Sequence, residues 1–213
     1  MRIVDLEQQS QAWLAWREEG IGGSDVASIL GISPFASRDR LIQERLGLVK
    51  REETYAMRKG TADEKGVLHR VEDKLRLLLV PMCVEHNNVR WGRASLDGAN
   101  LERRILAEIK VPNANVHQAA LENLVPDYYM VQVQYQLWVT DFDKGYFCTS
   151  SENKHFSDKA PTTVPVLPDP EMLAWILDEC EKFWEELQIA KAHLKRDEAG
   201  VPYFDSSCPH LNR

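Results

Sequence analysis

The sequence predicts a single α+β domain in which helices and strands share one core. Alternating apolar residues from Ile105 to Val111 indicate a largely buried strand. Apolar residues at helical spacing between Pro170 and about Lys195 indicate a long helix with one apolar stripe. With 213 residues, 44% of them apolar, the chain can bury a sizeable core. We therefore expect one domain over residues 1–213.

Three helices are predicted before residue 50. The first runs from Ser10 to Arg17, where two tryptophans stand three residues apart. Ser24 is the expected N-cap of a second helix that ends near Gly31. Ser37 is the expected N-cap of a third helix, which reaches about Leu46.

The turn between the first two helices has the composition of an anion site. Gly22 and Gly23 lead into the second helix, and such a turn exposes backbone N–H groups. Arg17, just upstream, could add a bidentate contact to a phosphate. Ordinary helix capping by Ser24 is the alternative interpretation.

The middle of the chain begins with a predicted helix from Thr61 to about Leu79. Glu64 lies three residues after Thr61, which is the spacing of a capping box, so its carboxylate could serve the N-cap amide or a catalytic site. Two strands are expected next, at residues 84–91 and 92–96.

A short segment after these strands carries two acids and a lysine. Asp97 and Gly98 form an Asp-Gly pair, a strong hairpin signal between apolar strands, and this hairpin would bring Asp97 across from Glu108. Lys110 follows Glu108 by two residues and therefore shares its face of the strand. Two carboxylates with a strand carbonyl, such as that of Ile109, form an oxygen-rich site that suits Mg²⁺ or Mn²⁺.

A metal site of this kind beside an ammonium group is suited to phosphodiester hydrolysis. The alternative is that these are ordinary surface residues, because so short a pattern often arises by chance. Glu108 and Lys110 interrupt an apolar run, where an unpaired charge is unfavourable. Their position therefore favours a functional role.

The second half of the chain contains one ambiguous segment. Residues 113–124 predict a short helix, and residues 145–149 and 162–166 predict strands. Between them, residues 127–141 alternate as a strand would but also fit a helical face, and periodicity alone favours the strand. If the segment is a helix, Tyr129 and Gln132 share a face with Gln136.

Composition excludes several classes of protein. A net charge of −7 argues against nonspecific coating of nucleic acid, which draws on phosphate neutralisation. No apolar run is long enough to span a bilayer and no signal peptide is evident, so we expect a cytoplasmic protein with no membrane partner.

The spacing of the four cysteines does not fit a zinc site, and we expect core thiols. The basic groups 38–45, 50–51, 58–59 and 103–104 are most simply solvated surface.

Five segments in order resemble the phage lambda exonuclease and YqaJ family of alkaline exonucleases, within the wider PD-(D/E)xK nuclease group. They cover roughly residues 13–140 and read WREEGIGGSDVASILG, GTADEKGVLHRVED, ASLDGA, LAEIKVP and YYMVQVQYQLWVT. The resemblance implies a mixed central β-sheet flanked by helices, a restriction-endonuclease-like core. It also implies that residues 127–140 form a helix. The core would span about residues 13–150, with the C-terminal helix, about 170–195, packing on it.

The resemblance also implies roles for individual residues. Asp97 and Glu108 match the family's metal-binding acids, with the carbonyl of Ile109 as a further ligand, and Lys110 matches its catalytic lysine. Glu64 matches a helix acid near the metals. The positions that match substrate-binding or cleft-facing residues are Arg17, Ser24, Ser95, Tyr129 and Gln132.

The activity that the resemblance implies is a Mg²⁺-dependent 5′ to 3′ exonuclease, in which Mn²⁺ could replace Mg²⁺. It would digest one strand of linear duplex DNA from 5′-phosphorylated ends to nucleoside 5′-monophosphates, leaving a 3′ single strand for recombination. A homotrimeric ring and a single-strand annealing protein are the implied partners. The alternatives are an endonuclease on the same fold and a catalytically silent DNA-binding module.

Overall fold

A computed structural model of the chain describes residues 1–50, 66–111, 114–150, 160–196, 200 and 202–204. Its centre is a six-stranded mixed sheet in the order β1-β2-β3-β4-β5-β6. Only β4 and β5 run parallel, and the other neighbouring strands are antiparallel. The α+β prediction, with a mixed sheet flanked by helices, is confirmed.

The strands of the large sheet are short, between three and eight residues. They are β1 (Arg2–Val4), β2 (Val80–Glu85), β3 (Arg93–Asn100), β4 (Ile105–Lys110), β5 (Lys144–Thr149) and β6 (Thr162–Val166). A separate hairpin joins β7 (Leu194–Arg196) to β8 (Pro202–Phe204). The sequence did not predict β1 or this hairpin, since each strand is only three residues long.

Helices cover both faces of the sheet. They are α1 (Gln11–Glu18), α2 (Gly23–Ile29), α3 (Arg38–Arg45), α4 (residues 66–75), α5 (Ala114–Leu121), α6 (Asp127–Thr140) and α7 (Pro170–His193). The main core joins the sheet to α2, α6 and α7. A smaller core packs α4 against the opposite face, where Ala107 and Ile109 of β4 point.

Helix α6 corrects what periodicity suggested for its segment. Side chains on every side of this helix are buried, including Val131, Val133, Tyr135, Leu137 and Val139. A helix that is buried on every side has no single apolar stripe with a 3.6-residue period, and these alternate apolar residues then imitate a strand. The helix implied by the family resemblance is the correct assignment.

The Asp-Gly pair does not form the hairpin turn. Asp97 and Gly98 lie inside β3, at a register shift against β2 where β3 has one extra residue, which is a β-bulge. The turn lies four residues later, over residues 101–104, and Asn100 caps it by accepting the Arg103 N–H at 2.8 Å. A glycine follows the acid because a Cβ at Gly98 would lie 2.9 Å from Leu79 Cβ.

Three element boundaries also differ from prediction. The helix predicted to reach Leu79 ends at residue 75, where Arg76 adopts a left-handed φ of 53°. The strand predicted over 84–91 ends at Glu85, because His86 Nδ1 accepts the Asn88 and Val89 N–H groups in a turn. The N-cap of α2 is Gly22, and Ser24 lies inside the helix.

The thiols of Cys83, Cys148 and Cys180 are buried and unbridged. Burial raises the pKa of each. Among the described residues, no helix has the length and apolar character required to cross a membrane.

Candidate active site

A cleft of about 630 Å³ opens between the α1–α2 turn, the ends of β3 and β4, and one face of α6. Helix α2 approaches α6 closely, since a Cβ at Gly23 would lie 3.2 Å from Gln136 Cγ and 3.3 Å from Gln132 Cγ. This approach brings the glycine turn to the acids of the sheet. Seven predicted site residues line the cleft: Arg17, Ser24, Ser95, Asp97, Glu108, Lys110 and Gln132.

Asp97 sits where β3 and β4 stop pairing through their backbones. The ladder ends at Gly98 opposite Ala107, and the next position in this register sets Asp97 against Glu108. Beyond that point the Ile109 N–H donates to Asp97 Oδ2 at 2.7 Å, so a side chain replaces the missing strand partner. The bulge at Asp97 makes this possible, because it turns the carboxylate toward β4.

The carbonyl of Ile109 belongs to the same edge of β4. The neighbouring Lys110 carbonyl accepts the Ser150 N–H, so it points toward the β5 side. Carbonyls of consecutive strand residues point to opposite edges. The Ile109 carbonyl therefore points to the β3 side of β4, the strand edge on which the Ile109 N–H donates to Asp97.

Glu108 is a buried carboxylate with three donors. It is 1% exposed. Gln132 Nε2 donates to Oε1 and Gln136 Nε2 donates to Oε2, each at 2.6 Å. Lys110 Nζ also contacts Oε1. These groups hold both oxygens of the carboxylate in one orientation at the floor of the cleft.

Lys110 carries its ammonium between this carboxylate and an aromatic ring. Its Nζ lies 5.8 Å from the ring centroid of Tyr129, which in turn stacks on Phe147. Burial raises the pKa of Tyr129, and the Lys110 charge acts in the opposite direction. Tyr129 itself is not part of the cleft lining and contacts the site through Lys110.

The α1–α2 turn supplies the cationic wall of the cleft. Arg17 Nη2 donates to Ser24 Oγ at 2.8 Å, and the Arg17 guanidinium lies 4.7 Å from the centre of the Trp13 ring. The Trp13 Nε1–H donates to Ser95 Oγ at 2.8 Å. Ser95 thus anchors the helix that carries Arg17 to the strand that carries Asp97.

Several residues of the site were not predicted from the sequence. Gln136, which the sequence placed on the same helical face as Gln132 without assigning it to the site, is the second amide on Glu108. Arg93 lines the cleft and donates to the Trp16 carbonyl. Asp25 accepts the N–H of Gly22, the N-cap of α2, at 2.8 Å, which is the spacing of a capping box.

The basic groups seen in the sequence are largely ion-paired in the described part of the chain. The pairs are Arg38 with Glu186, Arg40 with Glu44, Arg45 with Asp25, and Arg104 with Asp141 and Asp143. The Arg45 side chain is only 10% exposed in its pair, so it is not the solvated surface residue that the sequence suggested.

The chemistry of the donor set fits a magnesium-type ion. Mg²⁺ binds oxygen, keeps several waters and uses one or two carboxylates, and Asp97, Glu108 and the Ile109 carbonyl supply such donors. Within the described ranges no group of three or more His, Cys, Asp or Glu side chains could hold a metal. The third predicted acid, Glu64, lies outside the described residues.

Comparisons with known proteins agree with this geometry. YqaJ of Bacillus subtilis (strain 168) is 25% identical over 186 residues, which are 84% of this chain and 57% of YqaJ. A protein of African swine fever virus (strain Badajoz 1971 Vero-adapted) is 26% identical over 162 residues, 60% of this chain and 45% of its own length. The chain thus spans about half the length of the curated relatives it matches.

A solved structure shares the fold. The alkaline exonuclease LHK-Exo of Laribacter hongkongensis superposes with a TM-score of 0.72 at 24% identity, over 84% of this chain and 93% of that chain. The same exonuclease has also been solved in complex with dAMP. The mixed sheet with its flanking helices is therefore the fold of that exonuclease.

The YqaJ-like viral recombinase domain model matches residues 12–143. The matched residues include the α1–α2 turn, the acids and lysine of the sheet, and all of α6. This chain belongs to the YqaJ-like viral recombinase domain family.

Proposed function

We propose that this chain is a metal-dependent exonuclease that digests one strand of linear double-stranded DNA from its 5′ end. The observation that carries the proposal is one cleft in which Asp97, Glu108 and Lys110 face the arginine-bearing α1–α2 turn. The acids suit a hydrolytic metal, and Arg17 suits a terminal phosphate. Together they form a site for a phosphodiester beside a strand end.

The residues that would hold the cation are Asp97, Glu108 and the Ile109 carbonyl, with Glu64 as a further acid. When bound, Mg²⁺ supplies Lewis-acid polarisation of the scissile phosphate and of a water molecule. Mn²⁺ has the same preference for oxygen and would substitute.

The protein's own groups orient the reaction. Gln132 and Gln136 hold Glu108, so the carboxylate needs little reorganisation during the reaction. Lys110 Nζ lies at the same carboxylate and would orient or activate the attacking water. The water oxygen bonds to phosphorus as the bond to the 3′ oxygen breaks.

This cleavage releases a nucleoside 5′-monophosphate and leaves a new 5′-phosphate on the shortened strand. The new phosphate is again a ligand for the turn that carries Arg17 and Ser24, so each cycle recreates the recognised end. The complex of LHK-Exo with dAMP, a nucleoside 5′-monophosphate, supports products of this class.

Assembly as a homotrimeric ring would allow a chain with a net negative charge to hold DNA, which is also negatively charged. A monomer of charge −7 binds a duplex weakly, whereas a ring turns its basic residues toward one channel. We propose such a trimer, acting in the cytoplasm with a single-strand annealing protein that takes up the 3′ strand. Light scattering that gives about three times 24.4 kDa, with digestion that persists in an enzyme-trap assay, is the expected result.

Digestion of linear, nicked and covalently closed duplexes tests the activity. With Mg²⁺ we expect loss of the linear substrate alone, one nucleotide at a time, and no reaction in EDTA. Cleavage of the closed circle would identify an endonuclease instead. Binding to all three without cleavage of any would identify a catalytically silent DNA-binding module.

A further inference from the structure

A buried ion pair lies directly behind the turn that carries Arg17. Asp25, in the first turn of α2, is 3% exposed, and the side chain of Arg45, from the end of α3, is 10% exposed. Arg45 Nη2 contacts Asp25 Oδ2. The mechanism described above assigns no role to this pair.

The pair holds both ends of the turn between α1 and α2. Arg45 Nη1 donates to the Arg17 carbonyl at 2.6 Å. Asp25 Oδ2 accepts the Gly22 N–H at 2.8 Å. One guanidinium can serve the carboxylate and the carbonyl together because its N–H groups diverge in a rigid fork. Residues 17–22 are thus closed into a loop with fixed ends.

The same pair also reaches the Arg17 side chain. Asp25 Oδ1 lies 3.9 Å from Arg17 Nη2, the nitrogen that donates to Ser24 Oγ at 2.8 Å. Asp25 alone at this distance would repel a phosphate brought to Arg17. With Arg45 in place, two arginines face one carboxylate, so the cluster keeps one net positive charge.

Stability alone does not account for such an arrangement. Removing two charges from water is unfavourable, and an apolar pair of similar volume often stabilises a protein as well or better. This ion pair has two effects that an apolar pair would lack. It fixes the Arg17 backbone by a hydrogen bond, and it sets the net charge beside the Arg17 guanidinium. A phosphate site needs a fixed arginine and a positive net charge.

We propose that Asp25 and Arg45 are positioning residues that set the preference of this chain for a 5′-phosphorylated end. They hold Arg17 at Ser24 before the DNA arrives, so binding loses less conformational entropy. The inference rests on the proposed function and adds the origin of its end specificity.

The test measures single-turnover digestion of one duplex that carries either a 5′-phosphate or a 5′-hydroxyl. Asp25→Asn removes the charge but retains an oxygen that can accept the Gly22 N–H. Arg45→Lys keeps a positive charge opposite Asp25 but lacks the fork, so it remains informative if the first variant does not fold. Circular dichroism and thermal melting establish that each variant is folded.

A matched control is available on the same helix. Arg38 belongs to α3, as Arg45 does, and also pairs with a carboxylate, that of Glu186 on α7. Arg38→Met therefore removes an interhelical arginine–carboxylate pair at a distance from the turn. We expect its ratio of phosphate to hydroxyl rates to equal that of the unaltered protein.

For Asp25→Asn and Arg45→Lys we expect this ratio to fall about tenfold, because small displacements of a binding group have effects of that size or larger. The loss should be confined to the 5′-phosphorylated end, with the rate on the 5′-hydroxyl end unchanged, because Arg17 contacts only the phosphate. That selective loss is a readout that a purely structural role would not produce.

Two results would overturn the inference while leaving the exonuclease intact. In one, the folded variants digest both ends at the rates of the unaltered protein; in the other, the rates on both ends fall equally, so that the ratio does not change. If the unaltered protein digests neither end with Mg²⁺, the proposed function itself fails, and the inference falls with it.

Discussion

Replacing Glu108 with glutamine should separate the chemistry of this site from its stability. The carboxylate is 1% exposed and accepts hydrogen bonds from the Gln132 and Gln136 amides. The amide of the new glutamine has its own N–H₂ group, so at one of its two ends a donor would face a donor. Among the described residues Gln136 Oε1 is a buried oxygen without a hydrogen-bond partner, so rotation of the Gln136 amide would turn an acceptor toward the new group.

The expected change in stability is small because two effects oppose each other. Hydrogen bonds to a charged group exceed neutral ones by roughly 1 kcal/mol each, so two weakened amide bonds lose about 2 kcal/mol. Removing a buried charge also removes its desolvation penalty, which is several kcal/mol. We expect the free energy of unfolding to change by less than about 2 kcal/mol and Tm by less than about 8 °C.

The expected change in rate is much larger. An anionic metal donor would be lost, and with it about 4 kcal/mol of transition-state stabilisation, which corresponds to roughly a thousandfold in rate. Scanning calorimetry without metal gives Tm, digestion of a 5′-phosphorylated linear duplex gives the rate, and titration calorimetry with Mn²⁺ gives the affinity.

Glu108→Ala is the matched contrast. It leaves Lys110 and both amides without their acceptor, and breaking a buried network of this kind costs about 3–5 kcal/mol. Its Tm should therefore fall well below that of Glu108→Gln, although both are inactive. Activity of Glu108→Gln within tenfold of the unaltered protein, or equal Tm values for the two variants, would refute this account of the site.

Other changes test neighbouring parts of the site. Lys110→Ala should abolish turnover but preserve Mn²⁺ binding in calorimetry; retained turnover with Mg²⁺ would exclude the lysine from the mechanism. Arg17→Ala should erase the preference for 5′-phosphate over 5′-hydroxyl ends without abolishing digestion, and a preference that survives would place the phosphate elsewhere. Glu64→Gln should reduce the rate severely at unchanged Tm, whereas a neutral result would leave only a capping role. Gly20→Ala should lower Tm by several degrees, because its Cβ would lie 2.7 Å from the Trp91 carbonyl oxygen, a backbone atom; an unchanged Tm would show that the backbone shifts there at little cost.

Local patterns were sufficient to predict much of the architecture. Four predicted features depend on residues close together in the chain, and each matches the structure. They are the alternation over β4, the helical spacing of α1, the serine cap of α3 and the long stripe of α7. The sequence also placed Asp97 across from Glu108, but through a turn at Asp97-Gly98 that the structure does not contain. The observed register of β3 against β4 is what sets the two acids opposite each other.

Tertiary structure decided what local pattern could not. Helix α6 alternates like a strand because its neighbours bury it on every side, and Asp97-Gly98 forms a bulge because β2 pairs with β3 in a shifted register. The surroundings of Arg45 and Glu108 come from partners 20 to 28 residues away. The sequence by itself determined the types of ligand residue and their spacing along the chain. Packing decided which charges are buried and paired, because burial and ion pairing depend on residues that come into contact only when the chain folds.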